Sequence, residues 1–214
     1  MKLGVVQFPG SCDHTDALLA ARRIADAQLL WHGDHDLQGV DAVIVPGGFS
    51  YGDYLRVGAI ARFSPLMESV IAFANDGGPV LGICNGFQVL CEAHLLPGAL
   101  LPNTSLRFVC RQVDIEVVGD SAWSERIPPT QTLSIPVKHT TGRYFAPDLD
   151  PALVVFRYAN GQNPNGSQDD IAGVRNEPGN VVGLMPHPEL AVDPLTGSAD
   201  GLLLFEAVLR ERVG

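Results

Sequence analysis

A cysteine between two glycines is the residue of this chain best placed for nucleophilic chemistry. Cys84 lies within Gly-Ile-Cys-Asn-Gly-Phe-Gln at residues 82–88, directly after an apolar run and before a helix predicted to reach about His94. This pattern predicts a nucleophile elbow, a sharp strand-to-helix turn that raises one side chain above a sheet. The glycines leave room for a strained turn, and a helix N-terminus favours a thiolate. The segment also fits a buried structural cysteine, and by itself it leaves both interpretations open.

A cysteine nucleophile needs a base, and His187 is the strongest candidate. It lies in Met-Pro-His-Pro-Glu at residues 185–189, where each proline disfavours the α conformation in the residue before it. In an extended chain His187 and Glu189 project to the same side. The carboxylate can then hold the imidazole in one tautomer while the other ring nitrogen faces the thiol. Taken alone the segment also fits a rigid surface turn, and His139 is a weaker rival for the base.

Backbone N–H groups near the thiol are candidates for an oxyanion hole. Asn85 follows the nucleophile, so its N–H is predicted to point at a developing oxyanion. Gly47 and Gly48 end another apolar run and would let backbone approach a substrate closely enough to supply a second N–H. A Gly-Gly pair also fits an ordinary turn.

Apolar runs alternate with helical patterns in the first half of the chain and predict the elements that position these residues. Strands are predicted over residues 2–8, 41–45 and 79–83, and helices over about 13–27, 55–75 and 84–94, with Asp13 and Thr15 as caps of the first helix. This alternation favours an α/β fold with a mostly parallel central sheet, helices on both faces and the site at the carboxyl ends of the strands.

The second half contains less helix between its predicted strands. These strands cover residues 108–118, 132–139, 153–158 and 181–185, and a closing helix is predicted over about 199–211. The pattern predicts a mixed or antiparallel flank on the parallel sheet.

Composition limits the class of protein. The 214 residues, 46% of them hydrophobic, can bury one full core, so a single domain over residues 1–214 is predicted. A net charge of −10 argues against nucleic acid and anionic membranes as partners. No apolar run reaches the ~18 residues of a membrane span, and no signal-peptide cleavage site is present, so a cytoplasmic protein is expected. The four cysteines and six histidines show no ligand spacing, which predicts free thiols and no metal site.

The motifs resemble those of a known family. Residues 82–88 and 185–189 are similar to the Cys-His-Glu triad segments of class I glutamine amidotransferases. More narrowly, the chain resembles the glutaminase subunit of phosphoribosylformylglycinamidine synthase, through Pro-Gly-Gly-Phe-Ser-Tyr-Gly-Asp-Tyr-Leu-Arg at residues 46–56, Asn-Pro-Asn-Gly-Ser at residues 163–167 and the Met-Pro-His-Pro-Glu segment. The long string at 46–56 is specific, whereas the triad alone gives only the wider class.

The resemblance implies a fold and a reaction. The fold would be the flavodoxin-like amidotransferase fold, and the triad would be Cys84, His187 and Glu189. The chain would hydrolyse glutamine and pass ammonia to a large synthetase subunit, often joined by a small third subunit, for purine biosynthesis. ATP and magnesium would bind the synthetase, with no cofactor in this chain. Gln88 would face the α-amino and carboxylate groups of glutamine, although it also fits an ordinary helix surface.

The chain departs from the family pattern at a few positions. Thr140 and Thr141 stand where the family usually reads Gly-Glu, Leu190 stands where an arginine is usual, and the family's asparagine before the first Cys-Asp is missing at Ser11-Cys12-Asp13. The first two changes lie near the expected substrate mouth or subunit interface. Two alternatives stay open, a glutaminase subunit of another ammonia-using synthetase and a non-catalytic assembly or regulatory subunit.

Overall fold

A computed structural model describes residues 1–129 and 131–209 of the chain. The strands are β1 Lys2–Gln7, β2 Asp26–Trp31, β3 Ala42–Val45, β4 Val80–Ile83, β5 Ala99–Leu101, β6 Val109–Val117, β7 Thr132–His139, β8 Arg143–Phe145, β9 Val154–Tyr158, β10 Ile171–Arg175 and β11 Val181–Leu184. The α-helices are α1 His14–Arg22, α2 Pro65–Asn75, α3 Asn85–Glu92 and α4 Leu202–Ala207. Short 3-10 turns lie between several of them.

Nine strands form one sheet in the order β2-β1-β3-β4-β11-β10-β9-β6-β7. The pairs from β2 to β11 are parallel, and the pairs from β11 to β7 are antiparallel. Strands β5 and β8 form a separate antiparallel pair. The predicted mostly parallel sheet with an antiparallel flank is therefore confirmed.

The central parallel strands are covered on both faces. Every residue of β3, β4 and β11 is buried, as expected of a parallel sheet between helical layers. Helix α1 leads from β1 to β2 in one direction along the sheet, and α2 leads from β3 to β4 in the other. Because such crossovers are right-handed, the two helices lie on opposite faces.

Three predicted helices have different bounds in the structure. The first ends at Arg22, because residues from Asp26 pair with β1 as a parallel strand. The second begins only at Pro65, which is a favourable first residue of a helix, after a 3-10 turn at Ala61–Phe63. The closing helix begins at Leu202, and the part predicted beyond residue 209 lies outside the described residues.

Some strands were missed by the sequence interpretation. Strands β2, β5, β8 and β10 were not predicted. Strand β10 pairs with both β9 and β11 and has an irregular register against β9, with shifts around Gly173. Its sequence, Ile-Ala-Gly-Val-Arg, is short and lacks the alternation of apolar and polar residues that marks a half-buried strand, and pairing on both sides stabilises it instead.

The parallel strands bring the predicted site residues to one edge of the sheet. Strands β3, β4 and β11 are neighbours, and Gly47, Cys84 and His187 follow their carboxyl ends. The edge strand β7 also reaches this region, because the His187 N–H donates to the Pro136 carbonyl at 2.8 Å. Within the described residues, no helix combines the length and apolar character that a bilayer crossing requires.

Candidate active site

Cys84 occupies a strained turn between β4 and α3. Its φ is 50° and its ψ is −102°, a conformation that residues other than glycine hold only when their surroundings impose it. A Cβ atom at Gly82 would lie 2.6 Å from Leu90 Cδ1, and one at Gly86 would collide with the Val45 carbonyl oxygen. The sequence between residues 82 and 86 therefore forms the predicted elbow geometry.

His187 and Glu189 form a buried hydrogen-bonded pair. His187 Nδ1 donates to Glu189 Oε1 at 2.6 Å, and the two residues are 0% and 2% exposed. The predicted extended conformation holds at His187, with φ −106° and ψ 86°, but Pro188–Leu190 forms a 3-10 turn. The turn still brings the carboxylate to the ring, so the predicted contact forms through a different local conformation.

The electrostatics of His187 favour an imidazolium beside the Cys84 sulfur. Burial lowers the pKa of His187, but the charges of Glu189 and Cys84 and the hydrogen bond to Glu189 outweigh that effect and raise the pKa to about 10. Nε2 makes no hydrogen bond of ordinary geometry with any described residue, although the sulfur lies close enough to act on the ring.

Cys84 and His187 line the same pocket at the carboxyl edge of the sheet. Cys84 is 6% exposed, so its thiol is largely covered but opens into this pocket. The other lining residues are Cys12, Asp13, Gly48, Phe49, Asp53, Gln88, Phe108, Lys138, His139, Thr140 and Thr141. The arrangement can support nucleophilic attack by sulfur on a small substrate, with His187 as acid and base.

Comparisons with known proteins agree with this geometry. Residues 5–200 match the family model of the CobB/CobQ-like glutamine amidotransferase domain. A protein of Rubrobacter xylanophilus named phosphoribosylformylglycinamidine synthase subunit PurQ is 58% identical, over 98% of this chain and 98% of that protein. A protein of the same name from Streptomyces avermitilis is 54% identical, over 99% and 98% of the two chains. This chain belongs to the PurQ family.

Solved structures support the same assignment. A chain of the PurLQS structure from Thermotoga maritima is 41% identical and superposes with a TM-score of 0.91, over 97% of this chain and 96% of that one. Another Thermotoga maritima structure, described as a glutamine amidotransferase, is 17% identical with a TM-score of 0.58 over 97% and 90% of the two chains, and it shows the shared fold alone. The expected class I amidotransferase fold is confirmed for this PurQ-family chain.

The two predicted glycines occupy different places in the site. Gly48 lines the pocket with a φ of 136°. Gly47 packs behind the histidine, where a Cβ would lie 2.7 Å from His187 Cε1. Neither the Gly48 nor the Asn85 N–H has a hydrogen-bond partner among the described residues, and of these two residues only Gly48 lines the pocket.

Hydrogen bonds of Asn85 and Gln88 link the start of α3 to the segments that contain Ser50 and Thr141. Asn85 Oδ1 accepts the Ser50 N–H at 3.1 Å, and its Nδ2 donates to Gln88 Oε1 at 3.1 Å. Gln88 Nε2 donates in turn to the Thr141 carbonyl at 2.5 Å. Gln88 is 5% exposed and lines the pocket, so the helix-surface alternative is wrong.

Asp13 is the site residue that sequence reasoning placed incorrectly. It stands at the N-cap of α1, but its side chain makes no capping hydrogen bond. The carboxylate instead accepts from Lys138 Nζ at 2.5 Å, and its other oxygen lies 3.7 Å from His187 Nδ1. Lys138 was not predicted at all, and its only sequence signal is its position beside His139 at the end of a predicted strand.

His139, the rival base, has a different setting from His187. Its Nδ1 lies 3.1 Å from Asn103 Oδ1 and must donate to it, and its Nε2 lies 3.4 Å from Asn165 Nδ2. No carboxylate orients this ring among its hydrogen-bond partners. Burial, followed by the charge of His187, lowers the pKa of His139 to about 4 and keeps the ring neutral.

The positions that depart from the family pattern lie in two places. Thr140 and Thr141 line the pocket, as expected of residues at a substrate mouth. Leu190 belongs to the 3-10 turn after His187 and does not line it.

Two carboxylates and one imidazole lie close enough to one another to hold a cation. Ligand atoms of Asp13, His187 and Glu189 fall within 4.8 Å of one another. However, the Lys138 ammonium already pairs with Asp13, and His187 Nδ1 already bonds to Glu189. The group is best described as an ion-pair network, and the absence of a metal stays a prediction.

Proposed function

We propose that this chain is the glutaminase subunit of phosphoribosylformylglycinamidine synthase, with Cys84 as nucleophile, His187 as acid and base, and Glu189 as the carboxylate that orients the imidazole. One observation carries the assignment of residues. Of the two described histidines that line the pocket with Cys84, only His187 has a ring nitrogen without a hydrogen-bond partner, and a buried carboxylate holds its other nitrogen at 2.6 Å. Relatives of 58% identity named PurQ support the identity of the reaction.

The first half of the reaction releases ammonia. The Cys84 thiolate attacks the Cδ carbonyl carbon of glutamine, and the carbonyl oxygen becomes an oxyanion held by the Gly48 and Asn85 N–H groups. The carbon–nitrogen bond then breaks as His187 gives its proton to the departing nitrogen. The products of this half are ammonia, a thioester on Cys84 and a neutral imidazole.

The second half regenerates the thiolate. Neutral His187 takes a proton from water, whose oxygen attacks the thioester carbonyl at the same oxyanion site. The carbon–sulfur bond breaks, glutamate leaves and the thiolate is again paired with an imidazolium. The raised pKa of His187 supports an imidazolium as the form that starts each cycle, and Glu189 keeps Nε2 directed at the reacting atoms.

The partner of this chain would be an enzyme that uses the ammonia it releases. Ammonia would pass to a large synthetase subunit, which would use it with ATP and magnesium to convert formylglycinamide ribonucleotide to formylglycinamidine ribonucleotide. The solved PurLQS assembly contains a chain 41% identical to this one, which supports two partners, the synthetase and a small third subunit. The chain would act as one amidotransferase domain over residues 1–214, in the cytoplasm, without a cofactor of its own.

A test separates glutamine hydrolysis from synthesis. Cys84→Ala, assembled with the synthetase, should abolish glutamine-dependent synthesis and leave ammonia-dependent synthesis unchanged. Cys110→Ala is a matched control, because Cys110 is exposed and lies outside the pocket. Glutaminase activity that survives in Cys84→Ala contradicts the nucleophile assignment. If the chain supplies ammonia to a different synthetase and not to phosphoribosylformylglycinamidine synthase, the assignment of the reaction is wrong.

A further inference from the structure

A second ion pair lies behind the proposed triad. Asp13 is 3% exposed and precedes α1, while the Lys138 side chain is 30% exposed and lies on the distant strand β7. They are 125 residues apart in sequence, and Nζ and Oδ1 are separated by 2.5 Å. The buried carboxylate has a desolvation cost that an exposed one lacks, while the ammonium remains partly exposed, so the position of this pair beside the thiol requires an explanation.

The pair lies beside both reacting groups. Asp13 Oδ2 lies 3.7 Å from His187 Nδ1, which is too long for a hydrogen bond but within the range of a charge interaction. Lys138 lines the pocket together with Cys84, and its ammonium is close enough to interact with the charge of Cys84. One member of the pair therefore faces the imidazole, and the other shares the pocket with the sulfur.

The charges that surround His187 come from every element packed against it. They belong to Cys84 at the end of β4, Asp13 before α1, Lys138 on β7 and Glu189 on its own turn. His139 also acts on the ring from β7 but is neutral. Helix α4 packs against the same turn, and its Glu206 is exposed. Two carboxylates and a thiolate thus share two cations, and Lys138 is one of the two.

We propose that Asp13 and Lys138 form a positioning ion pair for the reaction, in which Lys138 cancels the charge of the second carboxylate beside His187 and supplies the second cation near the Cys84 thiolate. Without Lys138, the imidazolium would face two uncompensated carboxylates and would release its proton to the departing nitrogen less readily. Without Asp13, an unpaired ammonium would face the site. The inference rests on the proposed function, since it assumes that Cys84 and His187 react.

The protonation of Lys138 is consistent with this role. Burial lowers the pKa of Lys138, but its hydrogen bond to Asp13 and the charges of Asp13, Glu189 and Cys84 outweigh that effect and raise the pKa. Lys138 therefore remains a cation at neutral pH. Removal of this cation should raise the pKa of every neighbouring acid, and removal of the Asp13 anion should lower it.

The experiment measures the rate of alkylation of Cys84 by iodoacetamide between pH 5 and 10 in the full-length chain, with the modified cysteine identified by peptide mass mapping. The rate should rise as the thiolate forms. In Lys138→Met this rise should move to higher pH by about one unit, and in Asp13→Asn to lower pH by a similar amount. The double variant Asp13→Asn/Lys138→Met should return to within a few tenths of a unit of the wild type.

Further variants separate a charge effect from lost structure. Lys138→Arg keeps the cation and should leave the pH profile in place, while thermal denaturation reports whether each variant is folded. Shifts in the same direction in both single variants, no shift in either, or a double variant that is not restored would overturn the inference. If wild-type Cys84 shows no thiolate rise and no glutamine hydrolysis, the proposed function itself fails. A normal wild type with unshifted variants rejects only the ion-pair role.

Discussion

Glu189 Oε1 accepts a 2.6 Å hydrogen bond from His187 Nδ1, and both side chains are almost fully buried. Short bonds between ionised partners are among the stronger hydrogen bonds in proteins. Because Nδ1 is bonded to Glu189, Nε2 is the only nitrogen of the His187 ring that can exchange a proton with a molecule in the pocket. The orientation of the ring therefore depends on one carboxylate oxygen.

Replacement of that carboxylate gives the first prediction. Glu189→Gln should lower kcat/KM for glutamine by about 10²- to 10⁴-fold, because the ring loses both its orienting acceptor and the charge that stabilises the imidazolium. Since Glu189 raises the pKa of His187, the alkaline limb of the pH profile should also move to lower pH. Steady-state glutaminase assays at several pH values check both effects. The exposed Glu206→Gln is the control and should be unchanged.

The raised pKa of His187 also predicts a pH dependence of stability. The folded pKa is about 10, above the ordinary value of 6.5, so the imidazolium stabilises the fold fully below about pH 6.5 and loses this contribution as the pH rises through about 10. The difference in Tm between wild type and His187→Gln should therefore narrow from pH 7 to pH 10. Calorimetry checks it, and a difference that widens would contradict the prediction. The exposed His35→Gln should show no such trend.

The elbow predicts unequal costs for two glycine substitutions. Gly86→Ala should reduce the free energy of unfolding by about 3 kcal/mol or more, because its Cβ would collide with the Val45 carbonyl oxygen. Gly77→Ala should cost about 1 kcal/mol, since its φ is 87° but no atom lies within 4 Å of the new Cβ. Urea denaturation of both variants gives the comparison. Equal costs would show that close packing does not govern the elbow.

Gln88 predicts an effect on substrate affinity. Its amide links Asn85 to the Thr141 carbonyl at the wall of the pocket. Gln88→Ala should raise KM for glutamine about tenfold with a smaller change in kcat, because the loss of one hydrogen-bonded link is worth roughly 1.4 kcal/mol. The exposed Gln112→Ala on β6 is the control. A fall in kcat at unchanged KM would instead place Gln88 in the chemical step.

Several parts of the fold could be predicted because their signals are local. Strands β3, β4 and β11 are short apolar runs bounded by glycine or proline, and their predicted bounds differ from the structure by one residue. Strand β2 could not be predicted in this way. Its sequence continues the helical pattern of α1, and pairing with β1 over six residues outweighs that local preference.

Local sequence features were enough to identify the candidate triad. The glycines around Cys84 make the strained turn possible, and the two-residue spacing of His187 and Glu189 keeps them in reach of each other in either of two local conformations. Only the packing of distant segments in the fold shows how they meet and which charges surround them. Asp13, predicted as a helix cap, is instead the partner of Lys138, because β7 lies against the His187 turn. This ion pair joins residues that are 125 positions apart in the sequence. Charge interactions depend on distance in space, and only the folded chain sets that distance.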